Sequence, residues 1–282
     1  MNPSRGFSLG SSRGLLRGES LTVGKFWSLL FLLVPILGVY CFVYGWLYNI
    51  WLPEDVSVHG HTIDKLFFFI TGLTGIVFIG TEVALFWFMW KYDRASNTAP
   101  VKFTHGSHSL EVVWTIVPAA TLLFISIYQL NAWAEVKLES HMPKIPPTVQ
   151  VTARQFEWRL QYPGKDNVIG TSDDIFAVND LHLPVNEEIL VELKSMDVLH
   201  SFFLPNFRIK QDAVPGMRIP IWFRATKEGV YDLVCAELCG WGHYKMKGQL
   251  TIESRNKYDE WLNKMYEKQE ATHDTQSVAS TE

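Results

Sequence analysis

Three long apolar runs occupy the first half of the chain, and short alternating segments occupy the second. The runs extend from about Phe26 to Trp51, from about Leu66 to Trp90 and from about Val112 to Leu130. Each is close to the roughly 20 residues that a bilayer-spanning helix needs. Trp27, Trp46, Trp51, Trp87, Trp90 and Trp133 gather at their ends, where interfacial aromatic belts form. From about Pro146 the period shortens to two, in Val149-Gln-Val151, Ile189-Leu-Val191-Glu-Leu193, Ile219-Pro-Ile221-Trp-Phe223, Val230-Tyr-Asp-Leu-Val234 and Gly248-Gln-Leu250-Thr-Ile252. Alternation interrupted by turn residues reads as a small β-sandwich or barrel. The pattern therefore predicts a membrane-anchored α plus all-β protein, with three transmembrane helices followed by a β-sandwich. The expected divisions are an N-terminal segment 1–25, a first span 26–51, a helical hairpin 64–134, an outer domain 143–255 and a tail 256–282. The tail starts with helical spacing (Tyr258, Trp261, Leu262, Met265). It then turns polar and reads as disordered.

Positive charge orients the spans. Arg5, Arg13, Arg17 and Lys25 precede the first run, and Lys91, Arg94 and Lys102 separate the second from the third. The connection 52–64 carries no Lys or Arg. The positive-inside rule then places the N-terminus and the 91–110 loop in the cytoplasm of a cell (inner) membrane, and everything after the third span outside. The first run could instead be a cleaved signal. Its length, its aromatic content and the lack of an A-x-A end favour a retained helix. Glu82 lies well inside the second run, where an unpaired charge is costly, so it is expected to face protein or water.

Hydrophobic residues make up 48% of the 282 and charged residues 19%, an apolar balance consistent with membrane lipid as a partner. The formal net charge of -4 and the absence of a basic cluster argue against nucleic acid. Only three cysteines occur, so no disulfide framework exists. Two of them stand in Cys235-Ala-Glu237-Leu-Cys239-Gly-Trp241-Gly-His243-Tyr-Lys-Met246, and His200 lies upstream in Asp197-Val-Leu-His200-Ser. Thiolate, imidazole and thioether together suit copper rather than magnesium, calcium or manganese. One cysteine suffices for a mononuclear copper site; a second, four residues later, provides enough thiolate to bridge two coppers.

These residues carry a resemblance. Cys235-x-Glu237-x-Cys239-x-x-x-His243-x-x-Met246, preceded by Ser195-x-Asp197-Val198-x-His200-Ser201-Phe202 and Lys210-x-Asp212-x-x-Pro215-Gly216, resembles subunit II of the haem–copper oxidases that oxidise cytochrome c. The likeness runs from about Asp64 to about Glu253. It implies a cupredoxin-like Greek-key sandwich with a binuclear copper centre. Cys235 and Cys239 would bridge, His200 and His243 would be terminal ligands, Met246 a weak ligand, and Glu237 would offer its carbonyl. The Glu237 carboxylate would also reach a magnesium shared with the catalytic subunit I. Asp197 fits a supporting or interface role. No C-x-x-C-H motif occurs, so no haem is expected in this chain. The donor would be cytochrome c or an equivalent one-electron protein, and other oxidase subunits would be partners.

Two departures matter. The family has two helices, so the first span is an addition. The family's early strand carries Q-W-Y-W-x-Y, whose first Trp is regarded as receiving the electron, whereas this chain reads Gln155-Phe156-Glu157-Trp158. Trp241 and Trp158 are then the candidate aromatics. Leu110-Glu111-Val-Val-Trp114-Thr115-Ile-Val-Pro118 matches the family's LExxWTxxP, which implies a place for Glu111 at a proton-uptake channel of the catalytic subunit. An acidic residue at a helix N-terminus is equally favoured by the dipole alone. His59, His61, His105 and His108 read as surface imidazoles. The acidic hairpin 164–174 reads as a solvated loop, with docking of a lysine-rich cytochrome as the alternative. The leading expectation is the electron-input subunit of a cytochrome c oxidase that reduces O2 to water with proton translocation. The alternative is the copper-bearing subunit of a related nitric oxide reductase, against which the setting of Glu111 counts.

Overall fold

The structure is a computed structural model that describes residues 16–93, 99–100 and 102–279, with side chains described from 25 to 271 within that range. Arg5, Arg13 and Arg94, on which the orientation partly rests, lie outside the described residues, as does the side chain of Arg17. The chain divides into two compact units, one of residues 1–52 and 68–122 and one of 53–67 and 123–282.

The helices are α1 (Leu16–Leu47), α2 (Gly60–Lys91), α3 (His108–Tyr128), α4 (Leu130–Lys137) and α5 (Arg255–Ala279). Among the described residues, three segments are long and apolar enough to cross a membrane: Lys25–Leu47, Gly60–Lys91 and His108–Lys137. In the first unit α1 and α2 run antiparallel. Lys25 Nζ lies 5.4 Å from the Trp90 ring at one end, and Trp46 meets Phe68 edge-on at 4.7 Å toward the other. Most apolar side chains of the spans are open, Ile76 at 71% and Leu122 at 64% among them. Water would penalise that exposure, whereas a hydrocarbon solvent removes the penalty. Glu82 is half-buried, and its Oε2 has no hydrogen-bond partner among the described residues.

The second unit is a sandwich of two five-stranded sheets, formed by β1 (Val149–Arg154), β2 (Glu157–Tyr162), β3 (Ile175–Val178), β4 (Asp180–Pro184), β5 (Glu188–Ser195), β6 (His200–Leu204), β7 (Ile209–Ala213), β8 (Ile219–Arg224), β9 (Gly229–Cys235) and β10 (Lys247–Glu253). One sheet has the order β3-β2-β1-β5-β8 and the other β4-β10-β9-β6-β7. Most pairs are antiparallel; β1–β5 and β10–β4 are parallel. Alternate residues of β2 (Trp158, Leu160, Tyr162) and β5 (Ile189, Val191, Leu193) face the core, as a period of two requires. Phe207 packs edge-on to Phe223 and Tyr231 at 5.2 and 5.6 Å.

The connection before α2 is tied to this sandwich. Val56 N–H donates to Asn206 O, Val58 N–H to Arg224 O and Thr226 N–H to Val56 O. Arg208 grips Asp64 with Nε at 2.7 Å and Nη2 at 3.0 Å. His59 is thereby buried, contrary to the surface position expected of it: only 2% of it is open, and its ring meets Trp222 edge-on at 4.5 Å. Burial pushes its pKa down. His61, His105 and His108 are exposed as expected.

The tail also differs from expectation. Instead of becoming disordered it continues as α5 to Ala279. Tyr258, Trp261, Leu262, Met265 and Tyr266 pack on the core, and the polar remainder contains no Gly or Pro to break the helix. Replacing Phe207 by Ala should cost about 3–5 kcal/mol. Chemical denaturation followed by near-ultraviolet circular dichroism measures this; a cost below 1 kcal/mol would show that the site collapses without penalty.

Candidate metal centre

The candidate ligands converge at one end of the sandwich. β6 and β9 are neighbours, with Phe202 opposite Cys235. His200 is two residues from Phe202 and so lies on the same face. His200 opens β6. The loop from β9 to β10 is closed at its neck by Cys235 N–H donating to Met246 O at 3.1 Å, and Ala236 N–H donates to Ser201 O at 3.0 Å. A single turn of 3-10 helix, His243–Lys245, then turns the second imidazole back.

The nitrogen or sulfur atoms of His200, Cys235 and Cys239 lie within 4.8 Å of one another. Cys239 Sγ is 3.8 Å from Cys235 Sγ, 3.7 Å from His243 Nδ1 and 3.8 Å from Met246 Sδ. The Cys235 thiol faces Glu237 O at 3.2 Å. The two sulfurs are free thiols, well beyond the roughly 2.05 Å of a disulfide. His200 is fully buried, and its Nδ1 has no hydrogen-bond partner, while its Nε2 lies 2.8 Å from Asp197 Oδ1. A carboxylate behind an imidazole that presents its other nitrogen to a cluster of sulfurs is the arrangement of a metal-ligating histidine. The residues present therefore fit a soft metal ion.

Asp197 is itself braced. Gln155 N–H donates to its Oδ2 at 2.8 Å and Val198 N–H to its Oδ1 at 2.7 Å. Partial burial works against its charge, yet the Gln155, His200 and Val198 donors hold its carboxyl below the usual range. The Gln155 side-chain amide donates to Cys239 O, joining this network to the metal loop. In the metal-free protein, burial first and the neighbouring Cys235 second push the Cys239 thiol up to about 11.

The other candidates are dispersed. Trp158 is completely buried, edge-on to His200 at 6.4 Å. It has no surface that a donor protein could touch, so it is withdrawn as the place where electrons arrive. Trp241 is 81% open. Glu111 belongs to the other unit, in the first turn of α3, 3.9 Å from His108 Nδ1. The hairpin 164–174 lies at the Tyr162 end of β2, whereas Phe156 and the metal loop lie at the other end, about 17 Å away along the strand. Its Asp174 accepts from Gln161 and Gly170, and α5 covers it through Tyr266 OH to Pro163 O and Lys165 to Glu270. Sequence reasoning missed the Gln155 brace, although Gln155 opens the one family motif that this chain alters.

The fold and site define a membrane-anchored cupredoxin-like protein with a cluster of soft donors at one end of its sandwich. The family model described as cytochrome c oxidase subunit II, periplasmic domain, matches residues 147–254, and the one for its transmembrane domain matches 45–132. Cytochrome c oxidase subunit 2 of Cereibacter sphaeroides is 30% identical over 239 residues, covering 74% of this chain and 77% of that one. The alternative cytochrome c oxidase subunit 2 of Bradyrhizobium diazoefficiens is 28% identical over 243 residues, covering 77% and 84%. Among solved structures, the periplasmic domain of subunit II of cytochrome oxidase from Bradyrhizobium japonicum is 31% identical, with a TM-score of 0.40 over 45% of this chain and 98% of that one. The chain belongs to the cytochrome c oxidase subunit II family and is a membrane protein.

One consequence concerns the thiols. Because the pKa of Cys239 is raised, its reactive thiolate is scarce at neutral pH. Alkylation of the metal-free protein by iodoacetamide, mapped by mass spectrometry, should show Cys239 labelling at pH 8 about a hundredfold more slowly than an unperturbed thiol. The rate should climb until the pH nears 11. Fast labelling at pH 8 would contradict the raised value.

Proposed function

We propose that this chain is the electron-input subunit of a respiratory cytochrome c oxidase and that the cluster holds two coppers. The observation that carries the reading is the buried, unpartnered Nδ1 of His200 facing two thiols that are not bonded to each other. Cys235 and Cys239 would hold the copper as thiolates, His200 and His243 as imidazoles, Met246 through its thioether and Glu237 through its carbonyl. The bound copper supplies a one-electron acceptor that can be reduced and reoxidised with little rearrangement. The protein holds the ligands in place so that this rearrangement stays small. Asp197 keeps the proton on His200 Nε2 and leaves Nδ1 free; the sandwich core keeps water away from the sulfurs; the Cys235–Met246 hydrogen bond fixes the loop neck.

Electrons come singly from cytochrome c and pass to haem and copper centres of the catalytic subunit, where O2 is reduced to water with proton translocation. The Glu237 carboxylate is offered to a magnesium whose remaining ligands come from that subunit. Glu111 serves proton uptake from the side on which α3 begins. The basic residues before α1 and after α2 place those segments in the cytoplasm, and the copper domain outside the cell membrane.

Electron paramagnetic resonance with copper quantitation on the purified protein tests the centre. Two coppers per chain, with the unpaired electron shared by both nuclei, are expected. One copper with single-nucleus splitting, or none, rejects the reading. Asp197→Asn should lower copper affinity about 10–100-fold, measured by competition with a chelator, while the circular dichroism of the sandwich stays unchanged. Unaltered affinity would mean that the carboxylate does not orient His200.

A further inference from the structure

The first turns of α2 and the last turns of α4 enclose a groove together with β7 and β8. It measures about 220 Å³ and takes its floor from Ile63, Leu66, Trp133, Val136 and Ile221, with Lys137, Arg208 and Lys210 on its rim. All of these residues belong to the second unit. Its place along the spans decides what it meets. Leu66 opens the second apolar run, and the third run ends near Leu130. Trp133, three residues beyond that end, is half open, as an aromatic of the interfacial belt would be. Lys137 stands seven residues beyond it, about 10 Å farther along the helix. The head-group layer of a bilayer is about 5–8 Å thick on each side. The floor therefore begins at the hydrocarbon edge, and the rim lies at the level of the head groups.

The charges on the rim do not cancel. Arg208 is engaged by Asp64 through two bonds, at 2.7 and 3.0 Å. Lys210 Nζ lies 3.5 Å from Asp212 Oδ1. Lys137 is half-buried and donates to the neutral Gln211 Oε1 at 2.6 Å, and the carboxylate that acts on it is again Asp212. Glu135, on the same helix, turns to His59 Nδ1 at 3.7 Å instead. Three cations thus share two carboxylates, and Lys137 is the one without a carboxylate of its own. A half-buried ammonium with only a neutral partner is costly, and a charge-assisted bond to an anion in the groove would offset that cost.

Size narrows the occupant. A helix 10–12 Å across with a 5.4 Å pitch needs about 400 Å³ or more for each turn, so the groove suits a slimmer body. A glycerophosphate with the first methylenes of an acyl chain is slimmer, and it presents charge and apolar surface in the same order as rim and floor. We infer that this groove holds an anionic phospholipid, with its phosphate on Lys137 and its upper acyl carbons against Leu66 and Trp133. Basic pockets beside spanning helices take anionic head groups in this way. The lipid fills the gap between α2, α4 and the two strands, and it binds whether or not the cluster holds copper.

Native mass spectrometry of the purified full-length chain in detergent tests this, with phosphatidylglycerol, phosphatidylcholine of the same chains and glycerol phosphate as probes. One phosphatidylglycerol per chain should bind about fivefold more tightly than phosphatidylcholine, the preference expected of one lysine at a membrane surface. Lys137→Gln should abolish the preference. Ala132→Trp, which fills the groove, should remove binding of both lipids at the site while circular dichroism stays unchanged; if that variant fails to fold, Lys137→Gln, on the rim, still decides. Equal binding of the two lipids by the unaltered chain overturns the assignment, as does a preference that persists in Lys137→Gln. Glycerol phosphate bound as tightly as the whole lipid also overturns it, since the acyl contacts would then add nothing. The purified oxidase complex should carry one phosphatidylglycerol more than its Lys137→Gln counterpart. Equal lipid counts in the two complexes overturn the assignment, because a partner subunit would then cover the groove.

Discussion

A buried set of soft donors is unstable as a group unless something prevents its members from satisfying one another. Two thiols in reach of each other can oxidise to a disulfide, and an imidazole beside them can turn to the nearest carbonyl. The sandwich blocks both by supplying the donors from separate rigid elements. His200 belongs to β6, Cys235 ends β9, and Cys239, His243 and Met246 ride on a loop whose neck is closed by a backbone hydrogen bond. The sulfurs rest 3.8 Å apart, a separation that leaves room for a metal ion between them. Asp197 then removes the remaining freedom of His200 by engaging one ring nitrogen. Desolvation of the thiols is the cost. It raises the Cys239 pKa in the metal-free state, and a cation offsets it because thiolate ligation releases the proton.

The same economy of elements decides what could be read from sequence. Five donors fall within twelve residues of one loop, so the chemistry was legible without the fold. The strands with clean alternation, β1, β5, β8, β9 and β10, were legible too. β4 and β7 were not, because Asp180-Leu-His-Leu-Pro184 and Ile209-Lys-Gln-Asp-Ala213 are short and carry charge or proline. Their partners specify them instead: β4 joins β10 in parallel and β7 pairs with β6. His59 was misplaced for a related reason. Nothing local distinguishes it from His61, and its burial depends on hydrogen bonds to residues more than a hundred positions away. The course of α5 was half legible: its apolar stripe was visible, but the extent of a polar helix beyond that stripe has no signal in periodicity.

For the membrane-spanning segments the sequence was nearly sufficient, since length and hydropathy set what a span can be. The boundaries shifted because helix propensity does not stop at the hydrocarbon edge. α2 begins at Gly60, six residues before its apolar run, and carries Asp64 in those early turns. That carboxylate finds Arg208, a residue held in the left-handed conformation at φ 58°. A half-buried pair with two charge-assisted bonds ties the polar turns before the apolar run to the sandwich, so they act as an anchor rather than as an accident of boundary.

The altered aromatic motif shows how tightly two distant segments are matched. A ring at position 156 lies against the backbone of the metal loop, and only glycine leaves space for it at 240 and 242. The residue between those glycines is then flanked by backbone alone and has no cavity to enter. A small side chain there would leave the Phe156 edge exposed, whereas an indole covers it. Phe156, the two glycines and Trp241 are therefore one structural unit. A change at 156 alters the fit of the loop that carries Cys239 and His243, and Gln155, next in the chain, transmits the same change to Cys239 O and Asp197. The segment that supports the exposed ring is thus the segment that fixes the buried donors, which couples Trp241 to the geometry of the cluster.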